Sequence, residues 1–191
     1  MSKFFAFLNR MKYIKRWSLM RSVREENIME HSQHVAVLAH ALAVIGNKFF
    51  GKNYNIESVV LLAQYHEVGE VITGDLPTPI KYFNPEIKNA YKDLEKSACK
   101  RILAMLPEEL RDEYDKYILP DTNTEEYKIV KYADRLDAYL KCVEEIKAGN
   151  SEFKKAKAVI GQELKNSNSP EITYYLKHFA SAFELTLDEL D

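Results

Sequence analysis

The chain contains few residues of the types whose abundance marks a specialised class of protein. Of its 191 residues two are cysteines and one is tryptophan, and glycine and proline occur six times each. Cys99 and Cys142 have neither close spacing nor a CxxC pattern. Two isolated cysteines in a chain of this length indicate reduced thiols, which predicts a cytoplasmic protein rather than a disulfide-stabilised one.

A large excess of charge and long apolar runs are also missing. Lysine and arginine number 27 against 29 aspartates and glutamates, giving a formal net charge of -2, and the lysines are spread along the chain. This balance predicts neither a nucleic-acid polymer nor an anionic membrane as a partner. No apolar run approaches the roughly 20 residues that span a bilayer. The N-terminus lacks the long apolar region and the cleavage site of a signal peptide.

Helical periodicity extends through the first half of the chain. Asn27 and Glu30 have the spacing of a capping box, which predicts a helix from Asn27 to about Gly46. Asn55 can cap a second helix, whose apolar stripe leads on to Glu67 and Glu70. One glycine and two prolines between residues 73 and 79 interrupt the pattern.

The second half of the chain is predicted to be helical as well. Pro85 restarts a helix that Pro107 ends, and a short helix follows. The buried stripe predicted for the helix after Pro85 comprises Ile87, Tyr91, Leu94, Ala98, Ile102 and Met105. A long helix is predicted from about Glu125 to Lys147, with two more over residues 151–165 and 170–186. Since no strand pattern appears and the connectors are short, we predict one all-α domain over residues 1–191, with about seven to nine helices.

Several polar residues fall on or beside these apolar stripes. They are His31, His66, Glu67, Glu70 and either Asp134 or Asp137, between which periodicity does not choose. A single buried histidine or carboxylate is usually a hydrogen-bonded or ion-paired core residue. Several of them converging are costly to bury unless a bound cation compensates. Mixed imidazole and carboxylate donors suit Mn, Fe, Co, Ni, Cu or Zn better than Ca or Mg.

The order of these residues resembles a known signature. His31, His66 with an acidic neighbour, and Asp134 are similar to the H…HD…D pattern of HD-domain metal phosphohydrolases. The chain resembles, more narrowly, the bacterial YfbR-like 5′-deoxynucleotidases. The segments that carry this resemblance are Arg16 to Arg21, Glu30 to Ser32, Glu70 to Phe83, Pro107 to Asp112, Ala138 to Cys142 and Leu185 to Glu189.

The resemblance implies a helical HD-domain bundle that forms a homodimer and binds one divalent transition metal ion. It implies removal of the 5′-phosphate from deoxyribonucleoside monophosphates. The implied metal ligands are His31, His66, Glu67 and Asp134, which favours Asp134 over Asp137. The implied catalytic residues are Glu70 and Arg16. The residues implied to contact the substrate are Arg16, Trp17, Asp75, Leu76, Pro77 and Thr78.

Elementary chemistry agrees with these implied roles. Arg16 can bind the phosphate with two hydrogen bonds, and Glu70 can transfer a proton. Trp17 offers an aromatic wall and Asp75 an acceptor for a sugar hydroxyl. We expect these two residues to leave no room for a 2′-hydroxyl.

One position departs from the family pattern. The family has aspartate after the second histidine, whereas this chain has Glu67, whose carboxylate reaches about 1.5 Å further. The alternative function is therefore a catalytically impaired HD protein that binds nucleotide or metal without turnover.

Overall fold

The computed structural model describes all 191 residues and contains no β-sheet, which confirms the all-α prediction. Eight helices have five residues or more, and α4 and α5 are single turns. The bounds are α1 Phe4–Leu8, α2 Ile28–Phe49, α3 Ile56–Tyr65, α4 Glu70–Thr73, α5 Thr78–Lys81, α6 Pro85–Leu103, α7 Arg111–Ile118, α8 Glu125–Lys147, α9 Lys154–Asn166 and α10 Pro170–His178. None of these helices has the length and apolar character needed to cross a membrane.

Helix α2 is the central element of the fold and packs against α3, α8 and α10. Its start is fixed by the predicted capping box. The Asn27 side chain accepts hydrogen bonds from the amides of Met29 and Glu30, and Glu30 accepts one from the Asn27 amide. The main core lies between α2, α3 and α8. Its fully buried side chains include Val35, Leu42, Val59, Val130, Leu136 and Phe153. Burial of several such side chains contributes roughly 1.5–3 kcal/mol each, so this core fixes how α2 and α8 face each other.

A second, smaller core lies between α1, α6 and α7. It comprises Phe4, Val68, Ile102, Leu103, Leu106 and Ile118. Phe4 is fully buried, and its ring centroid lies 5.2 Å from that of Tyr114 in an edge-on arrangement. The N-terminal helix is therefore packed into the fold, and the turn that follows α3 enters this core through Val68.

The second predicted helix is shorter than the sequence suggested, and this difference shapes the site. Helix α3 ends at Tyr65, a turn occupies His66 to Gly69, and Glu70 begins α4. The turn has i→i+3 hydrogen bonds, from the amide of Val68 to the Tyr65 carbonyl and from the amide of Glu70 to the Glu67 carbonyl. Gly69 allows close approach to α6, because a Cβ there would lie 2.9 Å from Cys99 Sγ.

Two other expectations about helices were wrong in part. Ile87 and Leu94 of α6 are 36% and 51% exposed, because α6 lies at the edge of the fold and buries only the face that includes Tyr91, Ala98 and Ile102. Helix α10 ends at His178 rather than near residue 186, and a 3₁₀ turn at Ala180–Glu184 follows it.

The irregular segment before α2 is fastened to α8 by Glu145. The Glu145 carboxylate accepts hydrogen bonds from the amides of Val23 and Arg24 at 2.8 and 3.2 Å and from Lys141 Nζ at 2.7 Å. Lys141 Nζ also donates to the Arg24 carbonyl at 2.6 Å. Burial alone would raise the pKa of Glu145, but these donors outweigh it and lower the pKa to about 2. The ionised carboxylate therefore holds the segment that carries residues 16 and 17.

This fastening predicts an acid-dependent loss of stability. The folded-state pKa of Glu145 is depressed, so its stabilisation is present above about pH 4.3, the usual glutamate pKa, and is lost as the pH falls toward 2. We expect Glu145→Gln to lower the free energy of unfolding by about 1.5–3 kcal/mol at pH 7, the range for hydrogen bonds to a charged group. Urea unfolding at pH 7, 4 and 3 measures this.

The difference between the two proteins should shrink as the pH falls, because the wild type loses the same charge. The exposed neighbour Glu144 provides the matched control, and Glu144→Gln should leave stability unchanged at every pH. A Glu145→Gln protein as stable as the wild type at pH 7 would contradict the role of this carboxylate.

Candidate metal centre and active site

Four polar residues from separate elements meet where α2, α8 and the turn after α3 come together. His31 comes from α2, His66 and Glu67 from the turn, and Asp134 from α8. One ligand atom from each residue lies within 4.8 Å of all the others. His31 Nε2 is 3.2 Å from Asp134 Oδ1, and His66 Nε2 is 3.4 Å from Glu67 Oε1. These are the four residues for which metal binding is expected from the family resemblance.

The two imidazole rings are oriented by hydrogen bonds on the far side of each ring. His31 Nδ1 lies 2.7 Å from Asp137 Oδ2, and His66 Nδ1 lies 2.6 Å from the Ala63 carbonyl oxygen. Since a carbonyl only accepts, and Asp137 is ionised, both Nδ1 atoms donate. The two Nε2 atoms are buried and have no hydrogen-bond partner. Unpartnered imidazole nitrogens beside two carboxylates fit the donor set of a divalent transition metal ion.

At three of the four residues, the surroundings favour the protonation state that binds a cation, which is an ionised carboxylate or a neutral imidazole. Despite burial, Lys131 and His31 hold the pKa of Asp134 well below its usual range. The pKa of Glu67 is also lowered, because His66 and Lys131 outweigh its burial. Burial lowers the pKa of His66, so its ring is neutral near pH 7.

His31 differs from the other three residues. Burial and the Arg16 charge oppose its protonation, but the carboxylates of Asp134 and Asp137 outweigh them and raise the pKa of His31 to about 9. A cation at this position would therefore compete with a proton.

Glu70 lies next to this cluster as the first residue of α4 and is only 5% exposed. Burial, followed by the nearby charges of Glu67 and Asp75, raises the pKa of Glu70 to about 11. Burial and Glu67 also raise the pKa of Asp75, although Arg16 and Lys81 oppose the shift. The Glu70 carboxyl therefore carries a proton at pH 7 in the metal-free site.

Arg16 and Trp17 lie in the segment that approaches the cluster from the α2 side. The Arg16 amide donates to the Glu26 carbonyl at 2.9 Å, which pairs this segment with the residues just before α2. Arg16 Nη1 lies 3.1 Å from Glu26 Oε2 and 3.5 Å from Asp137 Oδ2. These carboxylates raise the pKa of Arg16 against the effect of burial, so its guanidinium is charged and anchored.

Trp17 has an unusual backbone conformation for a residue other than glycine. Its φ is 58°, a left-handed value that costs of order 1–3 kcal/mol and is found often at functional sites. Its ring packs on Phe153 at a centroid distance of 5.3 Å, and its Nε1 is buried without a hydrogen-bond partner. The neighbouring Arg16 Cζ lies 5.9 Å from the Trp17 ring centroid.

Residues 74 to 77 connect α4 to α5, and α6 holds this connection and the end of α5. Gly74 has a φ of 73°, and its carbonyl accepts a hydrogen bond from the Tyr91 hydroxyl at 3.0 Å. At the other end Lys81 Nζ pairs with Glu95 at 2.9 Å and lies 4.8 Å from the Tyr91 ring centroid. Asp75, Leu76 and Pro77 are half-buried, whereas Thr78 is exposed.

The structure adds charged residues that the sequence analysis did not single out. They are Glu26, which anchors Arg16, Lys131, which pairs with Asp134, and Lys81. The i,i+3 spacing of Lys131 and Asp134 was a readable signal, but nothing local marks Glu26 or Lys81. Periodicity did not choose between Asp134 and Asp137, and both carboxylates lie beside His31. Asp134 is near Nε2 and Asp137 is near Nδ1.

Solved structures of other proteins share this architecture. An HD-domain phosphohydrolase from Listeria innocua superposes with a TM-score of 0.83 at 22% identity, covering 95% of this chain and 88% of that protein. An HD phosphohydrolase of cyanophage S-2L, bound to dA and one catalytic Zn²⁺ ion, gives a TM-score of 0.66 at 18% identity, covering 92% and 95%. The protein has the HD-domain fold.

Sequence comparison defines the family within that fold. The profile of the 5′-deoxynucleotidase YfbR-like family matches residues 3–183. A 5′-deoxynucleotidase of Vibrio cholerae is 56% identical over 190 residues, covering 99% of this chain and 98% of that protein. One from Photorhabdus laumondii is 54% identical over 192 residues, covering 100% and 97%. The chain belongs to the YfbR-like 5′-deoxynucleotidase family, which confirms the predicted family and enzyme class.

Proposed function

We propose that the protein hydrolyses the 5′-phosphate from deoxyribonucleoside monophosphates with the help of one divalent transition metal ion. The observation that carries this proposal is the meeting of two unpartnered Nε2 atoms, from His31 and His66, with the carboxylates of Glu67 and Asp134. Relatives more than 50% identical over nearly the whole chain are named 5′-deoxynucleotidases. The products are a deoxynucleoside and inorganic phosphate.

The four residues His31, His66, Glu67 and Asp134 would hold the metal ion. When bound, such an ion acts as a Lewis acid that makes water more acidic and offsets phosphate charge. The donor set suits Mn, Fe, Co, Ni, Cu or Zn. The Zn²⁺ reported for the cyanophage HD protein supports a transition metal in this fold.

Arg16 and Glu70 carry the roles that need charge and a proton. Arg16 is charged and already fixed by Glu26, so its remaining N–H donors can bind phosphate oxygens and hold the group in line for attack. Glu70 is buried next to Glu67 and its carboxyl holds a proton, which it can donate to the departing 5′-oxygen and regain from the attacking water.

The remaining predicted residues are assigned to recognition of the nucleoside. Trp17 provides an aromatic wall, and its ring is held in place by packing on Phe153. Asp75 can accept from a sugar hydroxyl, while Leu76, Pro77 and Thr78 extend the same connection along the substrate. Because α6 holds this connection and the end of α5, we expect Trp17 and Asp75 to exclude a 2′-hydroxyl on steric grounds.

Glu67 does not favour the alternative of an impaired protein. Its longer side chain keeps a carboxylate oxygen within the cluster, 3.4 Å from His66 Nε2. It belongs to a turn rather than to a long helix, so its side-chain torsions can accommodate the additional methylene without a shift of α2 or α8. The complete set of other residues and the names of the relatives support the active enzyme.

We also propose that residues 1–191 act as a single cytoplasmic domain that forms a homodimer. The family resemblance implies the dimer. Apolar surface is available for an interface on or beside α5 and α6. Its exposed residues are Ile80 (45%), Tyr82 (58%), Phe83 (77%) and Leu94 (51%).

Sedimentation should give twice the mass of one chain, and Phe83→Glu should reduce it to the mass of one chain. Phe5→Glu, at a residue 61% exposed on α1, is the control.

The central test is phosphate release from a panel of deoxyribo- and ribonucleoside monophosphates. Apo protein is reloaded with Mn²⁺, Co²⁺, Zn²⁺ or Mg²⁺. We expect release from deoxyribonucleotides with a transition metal and much less from ribonucleotides. Glu70→Gln should lower kcat by roughly 10²–10⁴-fold, the contribution usual for a positioned acid–base group. Glu57→Gln, at an exposed position of α3, is the matched control.

Binding of nucleotide without phosphate release under any metal would overturn the enzymatic proposal in favour of the binding-only alternative. Equal turnover of ribo- and deoxyribonucleotides would overturn only the assignment of Trp17 and Asp75 to sugar selection.

The role of position 67 can be tested by comparing two replacements. Glu67→Gln removes the ligand charge and should lower metal affinity by at least the roughly 100-fold known for changes around a metal ligand. Glu67→Asp keeps the charge and should retain most of the turnover. Calorimetric titration of apo protein with metal and the phosphate-release assay measure the two effects. Wild-type affinity in Glu67→Gln would show that this carboxylate is not a ligand.

A further inference from the structure

We propose that Asp137 is a positioning residue that joins the metal centre and the phosphate-binding arginine into one unit. This inference rests on the proposed function and assigns a role to a residue outside both the four ligands and the substrate contacts. Its basis is that a single oxygen, Asp137 Oδ2, lies 2.7 Å from His31 Nδ1 and 3.5 Å from Arg16 Nη1.

Asp137 determines which nitrogen of His31 faces the ligand cluster. It is buried in α8, one turn after Asp134, and His31 is fully buried opposite it. Because Nδ1 donates to Asp137, Nε2 is the nitrogen left for a metal ion once its proton is displaced, and it lies 3.2 Å from Asp134 Oδ1. A carboxylate behind a ligating imidazole fixes ring orientation and tautomer and increases ligand basicity. Asp134 and Asp137 thus act on the two opposite nitrogens of one ring.

The same carboxylate restrains Arg16. The guanidinium lies between Glu26 and Asp137, and its side chain is 14% exposed. Asp137 faces Arg16 and His31. The Nδ1 atom of the exposed His34 lies 3.6 Å from Asp137 Oδ1. Glu26 Oε1 lies 3.9 Å from His31 Nδ1. Glu26 and Asp137 together restrain Arg16 beside His31, the proposed metal ligand that Asp137 also contacts.

A second metal site is the competing interpretation of this cluster. Ligand atoms of Glu26, His31 and Asp137 do lie within 4.8 Å of one another. Arg16 Nη1, however, is already 3.1 Å from Glu26 Oε2 and 3.5 Å from Asp137 Oδ2, so a fixed cation already pairs with both carboxylates. The geometry favours one metal centre with a shared carboxylate behind it.

The first test measures metal affinity without any turnover. Apo protein competes with a chromophoric chelator for Zn²⁺. Asp137→Ala removes the acceptor behind His31 and should weaken Zn²⁺ binding by about 10–100-fold. Asp137→Asn keeps an oxygen that can accept from Nδ1 and should recover much of that loss. Glu144→Gln, an exposed carboxylate on the same helix, should leave affinity unchanged.

The outcomes separate this inference from the proposed function. Wild-type affinity in a folded Asp137→Ala protein would overturn the role of Asp137 and leave the enzymatic proposal intact. If Asp137→Ala does not fold, Asp137→Asn is compared with the wild type. Because the amide oxygen is a weaker acceptor, Zn²⁺ affinity should then fall by roughly threefold or more, and an unchanged affinity would overturn the role of Asp137. Absence of Zn²⁺ binding by the wild type would overturn the metal centre and this inference together.

The second test measures the link to Arg16 with inorganic phosphate as the probe. Phosphate affinity of Zn²⁺-loaded protein is compared for the wild type, Asp137→Asn, Arg16→Gln and the double variant. Removing the Asp137 charge should strengthen phosphate binding in the Arg16→Gln background by reducing repulsion. With Arg16 present, Asp137→Asn also frees the guanidinium from its restraint. The gain in phosphate affinity should therefore be smaller than in the Arg16→Gln background, by roughly threefold or more. Equal effects in both backgrounds would overturn the link.

Discussion

The cost of burying six carboxyl groups and two imidazoles within one small volume governs the organisation of this protein. Glu26, Glu67, Glu70, Asp75, Asp134 and Asp137 all influence the same cluster, with Arg16, Lys81 and Lys131 as the cations. Removing one partner from a buried charge network typically costs several kcal/mol, so the backbone must hold each group in register. The apolar contacts between α2, α3 and α8 provide that rigidity, and one face of α8 supplies both aspartates.

The proposed ligand set depends on how α3 ends. The turn at residues 66–69 has i→i+3 hydrogen bonds, and the Ala63 carbonyl orients the His66 ring from within the last turn of α3. Adjacent side chains diverge by about 100° or more in such a turn, so the side-chain torsions of His66 and Glu67 bring Nε2 and Oε1 to 3.4 Å. The close approach of Gly69 to Cys99 and the burial of Val68 fix the turn against α6 and the second core. The smaller core thus positions two of the four proposed ligands.

The sequence revealed most of the helices because capping residues and apolar periodicity are local signals. The capping box at Asn27 and Glu30 and the long α8 followed directly from them. The end of α3 at Tyr65 did not, since Gly69 matters through its tertiary contact with Cys99 and not through its own propensity. Ile87 and Leu94 are exposed because few elements pack against α6, which the periodicity of α6 itself does not reveal. Periodicity placed two carboxylates of α8 on the inner side but had no means to show that both meet His31.

The effect of the additional methylene at Glu67 depends on which elements carry the proposed ligands. His31 and Asp134 lie within long helices whose backbones the main core fixes, and a lengthened side chain there would have to displace the cluster. Position 67 is the one proposed carboxylate ligand outside the long helices, where a change of side-chain torsion costs less than moving α2 or α8. Glu67 brings an oxygen within 4.8 Å of its partners. The departure from the family pattern therefore falls at the proposed carboxylate ligand whose side chain can adjust without displacing a long helix.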